Sequence, residues 1–467
     1  MRAVRELAVV GAGMAGLAAA HRLEQLVPDA RVTVYEAADR VGGAVRSEAV
    51  PPGSVVMEAG PDSLLARKPA GVALAEAVGL AGELVPSHPG ARGALLYLDG
   101  QLWPLPPGVV AGVPLQPERL EGSPLLTAEG RAALLADLDA PPESVTADVS
   151  LGGFLARHLG DEWVDRVASA LLSGIYAGHI RELSLLATYP ELAAAARHGS
   201  LMRGLAAERR AHPPRPGPVF VTLVGGLETL PRRVAARLRT PVHTGVAIRS
   251  VTAEGARYRL TGDREDHVVD GVVVATPAWV AAGQLQRLAP AAAARLREVP
   301  YANLAVVTLR YASGVVPPPG MTGVLVPAGS GVALTAITFV GQKWAHRTDP
   351  VDVPVRAFYG RAATSRGEDN VLTWSDDRFR REVAADLRQV LGWTADPYAV
   401  QVHRHPAAMP QYLVGHRDRV AEVEAEVARW PGLALAGAAL HGVGIPDVIR
   451  SGEEAAERVA RSGELRP

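Results

Sequence analysis

The chain contains no cysteine, so disulfides, thiolate nucleophiles, iron–sulfur ligation and cysteinyl attachment of a cofactor are all excluded. Any redox chemistry must therefore depend on a bound group. Aromatic residues make up only 5% of the chain, which argues against a site built from a large aromatic cage. Lysine occurs only at Lys68 and Lys343, so arginine supplies nearly all of the positive charge.

Charge of one sign is not in excess either, because 48 basic residues face 49 acidic ones. A balanced chain has no net field to attract a polyanion, and we expect no nucleic-acid partner. Arg2 and Arg5 precede an apolar stretch that could pass for a signal peptide, but a strand, a glycine turn and a helix explain that stretch better. No uninterrupted apolar run reaches the ~18 residues that span a bilayer, so we expect a cytoplasmic protein.

The 467 residues exceed one ordinary domain. Strand and helix patterns alternate near the N-terminus, after residue 219 and near the C-terminus, whereas residues 127–209 carry mainly helical periodicity. A proline-rich stretch from Pro213 to Pro218 follows the helical part. The pattern predicts an α/β fold in which one domain is interrupted by two insertions.

The strongest motif is a glycine triplet, Gly11, Gly13 and Gly16, between a predicted strand and a predicted helix. Such glycines permit a tight turn, close approach to a pyrophosphate and close packing of helix on strand. Glu36 ends the next strand 20 residues beyond Gly16, where a carboxylate can accept hydrogen bonds from a ribose. A triplet alone could be a simple turn of small residues, but the whole unit predicts dinucleotide binding.

A second glycine turn follows the acid. Gly42 and Gly43 stand between Arg40 and Arg46, and this arrangement fits a loop that lies against the same pyrophosphate. A solvated basic loop is the alternative. The GG-x-x-R-S pattern resembles the flavoprotein group of amine oxidases, phytoene desaturases and protoporphyrinogen oxidases, and this resemblance favours FAD over NAD.

Further blocks resemble the protoporphyrinogen and coproporphyrinogen III oxidase family, and the resemblance runs from about residue 5 to residue 460. These blocks are Gly174 to Gly178 with Glu182 to Leu185, Gly225 to Pro231, Val272 to Pro277, Ala408 to Tyr412 with Gly415 and His416, Leu435 to Gly437, and Gly442 to Gly452. The resemblance implies a Rossmann-like FAD-binding domain assembled from residues 1–65, 219–295 and 425–467. It also implies an α+β substrate domain from 66–125 and 296–424, and a helical insertion at 126–218 that is a candidate for peripheral contact with the inner face of the membrane.

The resemblance also implies which residues contact a non-covalent FAD. Glu36 and Ala37 would meet the ribose, Val246 the adenine through its backbone, and the N-terminal dipole of the last helix would face the flavin. The remaining implied contacts are Gly11, Ala12, Gly13, Met14, Ala15 and Gly16 at the phosphates, Arg40, Gly42 and Gly43 at the pyrophosphate, Gly60, Pro61, Asp62 and Ser63 at the flavin ring, and Gly437, Ile445, Pro446 and Asp447 as closing contacts. For Asp447 a helix N-cap is the alternative.

Members of the family oxidise a porphyrinogen to a porphyrin in three two-electron steps, with oxygen as acceptor and hydrogen peroxide as product. The substrate is a flat apolar disc with propionates, so it needs aliphatic walls and basic anchors. We take Gly174 and Ile175 as candidates for a wall, although Gly174 could simply break a helix. Arg67 and Arg92 are candidates for the propionates, with surface solvation as the alternative.

Two positions depart from the family pattern. His405 stands where relatives often carry tryptophan, and Leu95 lies near a position where some members have arginine. His403 and His405 share one strand face, and we interpret them as structural, so we expect no metal. An amine oxidase, a carotenoid desaturase and a non-catalytic porphyrin carrier are the competing functions. The sequence leaves the oligomeric state and the preferred porphyrinogen open.

Overall fold

The computed structural model describes residues 4–49, 55–213, 216–312, 314–348, 352–362 and 370–462. Its centre is a parallel sheet assembled from segments that lie far apart in sequence. Ala8 pairs with Thr33 on one side and with Val272 on the other, and Val273 pairs with Ala434. The strands, in spatial order, are His243–Thr244, Arg31–Glu36, Glu6–Val10, Gly271–Val274 and Leu433–Leu435.

Helices cover both faces of this sheet, which explains why its strands are continuous apolar runs rather than alternating ones. Helices Met14–Leu26 and Ile445–Ser462 pack so closely that a side-chain carbon at Gly452 would lie only 2.1 Å from the Ala15 carbonyl oxygen. The absence of a side chain at Gly452 permits this contact. The helices around the sheet are Met14–Leu26, Pro69–Ala77, Thr229–Arg237, Ala278–Leu285, Pro290–Arg297, His416–Val427 and Ile445–Ser462. The smaller sheets beside it contain Ser47–Ala49 with Val56–Glu58, Leu64–Leu65 with Phe220–Leu223 and Leu84–Pro86, and Ile248–Glu254 with Arg257–Gly262 and Asp266–Val269.

A seven-stranded, mostly antiparallel sheet forms a second layer system. Helix Asp376–Leu391 packs its apolar residues Phe379, Val383 and Leu387 into the core of this sheet. The strands, in spatial order, are Ala399–Pro410, Tyr301–Ala312, Asp352–Tyr359, Leu334–Phe339, Met321–Leu325, Gly93–Leu98 and Gln101–Pro104. The short helix Val340–Lys343 follows its fourth strand.

The residues between strands Gln101–Pro104 and Phe220–Leu223 form a helical unit with its own core. Trp163 is fully buried there, and its indole N–H donates to the Gly112 carbonyl at 2.7 Å. Its elements are Ala128–Leu135, Leu151–Leu159, Asp161–Trp163, the π-helical Val164–Ala168, Ser169–Tyr176, Leu185–Thr188, Pro190–Ala196 and Leu201–Ala211, with the short strand pair Val109–Val110 and Val113–Pro114 against it.

The predicted fold class, a discontinuous Rossmann-like domain with an α+β part and a helical insertion, is confirmed. The last helix begins at Ile445, and Pro446 lies in its first turn, a position that suits proline. The alternative that Gly174 breaks a helix was wrong, because Gly174 lies inside helix Ser169–Tyr176, which ends at Ala177 with φ 50°. The boundaries of the three parts stay predictions.

Candidate active site

A cleft of about 710 Å³ opens where the central parallel strands end. Val10, Glu36 and Ala275 stand at or directly after the carboxyl ends of three of these strands. This edge of an open parallel sheet is where nucleotides bind in doubly wound folds. The predicted cofactor residues that line the cleft are Gly11, Gly13, Met14, Ala15, Glu36, Ala37, Gly43, Val246 and Gly437.

Each glycine of the N-terminal triplet has its own geometric reason. Gly11 has φ +102°, and a side chain there would meet the Ala275 carbonyl oxygen at 2.8 Å. A side-chain carbon at Gly16 would lie 1.8 Å from the Gly11 carbonyl oxygen, so Gly16 lets the helix pack onto the turn. The Cβ position of Gly13 has no atom within 4 Å and faces the cleft. Gly13 therefore leaves the cleft open at this point, and its contact with a phosphate stays a prediction.

Glu36 is held ready to accept hydroxyl groups. The amide of Ala12 donates to Glu36 Oε2 at 2.7 Å, and the amide of Ala38 donates to Oε1 at 2.9 Å. Each carboxylate oxygen keeps a further lone pair, so the group can still accept hydrogen bonds from a ribose. Nearby, the Val246 amide donates to the Glu36 carbonyl at 2.9 Å. The backbone contact of Val246 with an adenine stays a prediction.

The second glycine turn is tied to the first. The Gly42 amide donates to the Ala12 carbonyl at 2.8 Å, and a side-chain carbon at Gly43 would lie 3.3 Å from the Gly13 Cα. Arg40 donates to the carbonyls of Val41 and Val45, both at 3.1 Å, and to that of Gly43. Arg40 thus shapes this loop with its own hydrogen bonds. Its direct contact with a pyrophosphate stays a prediction.

The segment Gly60, Pro61, Asp62 and Ser63, predicted to contact the flavin ring, is anchored to the second sheet by charge. Lys343 Nζ lies 2.8 Å from Asp62 Oδ1, Arg356 Nη1 lies 3.2 Å from Oδ2, and Arg356 also donates to the Gly60 carbonyl. Burial by itself would raise the pKa of Asp62, but the two cations hold it well below its usual value. The segment is therefore fixed in position relative to the second sheet.

A buried ion pair lies just before the segment that begins at Gly60. Arg347 donates to Glu58 Oε1 at 2.8 Å, and both side chains are almost fully buried. Glu58 also accepts from the Leu227 amide at 3.0 Å and from the Ser47 hydroxyl at 2.5 Å. This carboxylate therefore joins three separate segments of the chain. Sequence inspection missed it, because 289 positions separate Glu58 from Arg347.

At the other end of the cleft, Gly437 lies beside the first turn of the last helix. Its amide donates to the Ser451 hydroxyl at 3.1 Å, and its Cβ position has no atom within 4 Å. Ile445 and Pro446 begin the helix, and Asp447 lies two residues inside it, so the N-cap alternative for Asp447 was wrong. Its carboxylate pairs with Lys68 at 2.6 Å.

The substrate candidates lie away from this cleft. Gly174 sits in helix Ser169–Tyr176, where a side-chain carbon would lie 3.8 Å from Leu325 Cδ2, and Ile175 is exposed. Arg67 and Arg92 are both exposed, and Arg92 contacts the Pro319 carbonyl at 3.4 Å. Their roles toward a substrate stay predictions.

Several cleft residues were not among the predicted ones. Ala275, Thr276 and Pro277 follow the returning strand, and Trp279 and Gln284 lie on the helix after it. Their position directly after a parallel strand was the signal that could have found them, because the carboxyl ends of parallel strands share one edge. The segment after the returning strand and the helix that follows it therefore form a wall of the cleft that the glycine motifs do not predict.

The departures from the family pattern have a structural explanation at His405. Its Nε2 lies 2.7 Å from the Ala59 carbonyl oxygen, so the imidazole joins the second sheet to the segment before Gly60. Burial lowers the pKa of both His403 and His405.

In the described part of the chain no three His, Asp or Glu side chains are grouped as metal ligands. Across the same residues, no helix combines the length and the apolar character needed to cross a membrane.

Comparisons with known proteins place this geometry in a family. The model of the flavin containing amine oxidoreductases matches residues 14–460. A coproporphyrinogen III oxidase of Bacillus subtilis is 32% identical over 97% of both chains, and one of Mycobacterium bovis is 35% identical over 95% of both. A crystal structure from Exiguobacterium sp. 255-15 superposes with a TM-score of 0.87 at 34% identity, covering 98% of this chain and 99% of the other. The chain therefore belongs to the flavin containing amine oxidoreductase family.

Proposed function

We propose that this protein is an FAD-dependent enzyme that oxidises coproporphyrinogen III to coproporphyrin III in heme biosynthesis, with oxygen as acceptor and hydrogen peroxide as product. The observation that carries the proposal is the near full-length similarity to coproporphyrinogen III oxidases, at 32% and 35% identity. The cleft at the end of the parallel sheet supports the same conclusion, because its residues suit a dinucleotide.

The residues of the cleft fit FAD in their chemistry. The open space at Gly13 admits a phosphate, the amides at the start of helix Met14–Leu26 can donate to it, and the oriented carboxylate of Glu36 can accept a ribose hydroxyl. FAD would be held without a covalent bond, and the absence of cysteine excludes a cysteinyl linkage to the flavin. When bound, FAD supplies the two-electron acceptor that protein side chains lack.

The remaining work of the chain is to bind, orient and exclude water. The substrate domain proposed above, residues 66–125 and 296–424, would hold the macrocycle, with Gly174 and Ile175 from the helical insertion as one wall. The pairing of Asp62 with Lys343 and Arg356 supports this placement of the substrate, because it connects the segment predicted at the flavin ring to the second sheet. Arg67 and Arg92 are the proposed partners of the propionates.

The purified protein should be tested with three substrates under air: coproporphyrinogen III, protoporphyrinogen IX and a monoamine. We expect porphyrin fluorescence to appear faster than in the protein-free control, with three molecules of peroxide for each porphyrin, and coproporphyrinogen III to be preferred. Faster turnover of protoporphyrinogen IX would correct the substrate. Peroxide from the monoamine alone would make the protein an amine oxidase, and no turnover of any substrate would favour a porphyrin carrier.

We further propose that the enzyme acts in the cytoplasm and contacts the inner face of the membrane through the helical insertion. The exposed side chain of Ile175 supports this proposal. Cosedimentation with anionic lipid vesicles, compared between the native protein and Ile175→Ser, tests it. Equal pelleting of the two proteins, or no pelleting of either, would contradict it.

A further inference from the structure

Trp279 is the one tryptophan that the fold leaves largely in water. It is 55% exposed, whereas each of the other six tryptophans lies in the described residues and is buried or half-buried. Trp279 lines the cleft at the end of the parallel sheet, together with Glu36 and Val246. Ligand pockets are lined mainly by apolar and aromatic side chains, so an exposed indole inside a cleft is a candidate ligand contact.

The helix that carries Trp279 leaves a gap beside its ring. Gly283 follows Trp279 by four residues in helix Ala278–Leu285, so both lie on the same helix face, and both line the cleft. The Cβ position of Gly283 has no atom within 4 Å. Trp279 and Gly283 thus border one part of the cleft, which we name the Trp279 slot, with an indole ring next to a stretch of backbone that carries no side chain.

The other side of the slot is the segment from Val246 to Arg249, and a buried amide fixes its distance from the helix. Gln284 Nε2 donates to the Ile248 carbonyl at 2.9 Å, and Gln284 Oε1 accepts from the Thr276 hydroxyl at 2.8 Å. Gln284 is only 3% exposed, so these bonds form away from competing water. The slot is therefore built before any ligand arrives, and it stands next to the carboxylate of Glu36.

We propose that Trp279 covers the adenine of FAD by stacking on it, with Gly283 providing the room for the ring. This inference rests on the proposed use of FAD. An adenine is preferred over the isoalloxazine because the residues suited to the adenine and its ribose stand beside this helix. Gln284 of the helix donates to the Ile248 carbonyl, and the Val246 amide donates to the Glu36 carbonyl. Stacking on an aromatic side chain needs only a flat face, which adenine presents. Trp279 is thus a residue that retains the cofactor and takes no part in the reaction.

The test is a titration of flavin-free protein with FAD, followed by tryptophan emission. We expect Trp279→Ala to raise the Kd for FAD about 5- to 150-fold, the range that corresponds to stacking of one base on an aromatic ring. Trp279→Phe should stay within about threefold of the native Kd because it keeps a flat ring. Val316→Ala is the matched control, because Val316 is exposed but lies outside the cleft, and it should leave the Kd unchanged.

Two further readouts separate stacking from a structural role. ADP, which carries the adenine but no flavin ring, should quench the emission that Trp279→Phe lacks, whereas ribose 5-phosphate, which carries no adenine, should not. Gly283→Leu should raise the Kd by filling the slot, and its melting temperature without FAD should not fall, because leucine suits a helix better than glycine.

An unchanged Kd in Trp279→Ala, or the absence of quenching by ADP, would overturn the inference while leaving the use of FAD intact. Failure of the native protein to bind FAD would instead overturn the proposed function, and the inference with it.

Discussion

Replacing Gly13 by valine tests whether the first glycine turn provides the space for the pyrophosphate of FAD. Gly13 precedes helix Met14–Leu26 with φ −70° and ψ 179°, a conformation that any residue adopts. A Cβ added there meets no protein atom within 4 Å, and Gly13 lines the cleft. Gly13→Val should therefore leave the protein folded and remove the space for the pyrophosphate.

The two effects differ in size. Glycine is a better helix N-cap than valine by about 0.5–1 kcal/mol, and the smaller entropy of the unfolded variant returns about 0.4–1 kcal/mol. The free energy of unfolding without FAD should thus change by less than about 1 kcal/mol. Charge-assisted hydrogen bonds contribute about 1.5–3 kcal/mol each, so the loss of two phosphate contacts should weaken FAD binding by about 10²- to 10⁴-fold.

The assay compares three purified variants by their ratio of flavin to protein and by thermal unfolding after removal of flavin. Gly13→Val should purify without flavin and unfold near the native temperature. Gly16→Ala should unfold early, because its Cβ would lie 1.8 Å from the Gly11 carbonyl oxygen. Gly82→Ala also adds a methyl group to open space, but outside the cleft, and it should keep its flavin. A full complement of FAD in Gly13→Val would refute the assignment of the cleft.

Two other perturbations test the interior of the protein. Glu58→Ala leaves the buried cation of Arg347 without its partner and should lower the free energy of unfolding by about 3–5 kcal/mol in denaturant titrations. The control is Glu457→Ala, at a half-exposed ion pair, which should lower the free energy of unfolding by less than about 1 kcal/mol. Equal losses in the two variants would contradict the role of burial. His416 stacks on Tyr412, and burial lowers its pKa from the ordinary 6.5 to about 4. Between those values the unfolded chain binds the proton and the folded protein does not, so stability falls as pH falls, with a slope of up to about 1.4 kcal/mol per pH unit from this group. His416→Phe should flatten that slope in unfolding measured from pH 6.5 to 4.5, and an unchanged slope would show that other groups cause it.

The sequence by itself determined the local parts of the cofactor cleft. The glycine triplet, the second glycine turn and Glu36 could be predicted because each depends on neighbours within a few residues: a tight turn, a helix start and a strand end. The predicted order of strand, glycine turn, helix and next strand is confirmed by the observed Glu6–Val10, Met14–Leu26 and Arg31–Glu36. Local backbone geometry and hydrophobic period carry this information.

Only the tertiary structure decided which distant residues meet. Glu58 with Arg347, Asp62 with Lys343, and Gln284 with Ile248 are joined by packing of separate segments, and no local pattern marks one partner for the other. The same holds for Trp279, which looks like an ordinary apolar helix residue until the parallel strands bring it to the cleft edge. A buried pair or a ligand wall is set by which faces the chain brings together, and that choice belongs to the whole fold rather than to any one stretch of sequence.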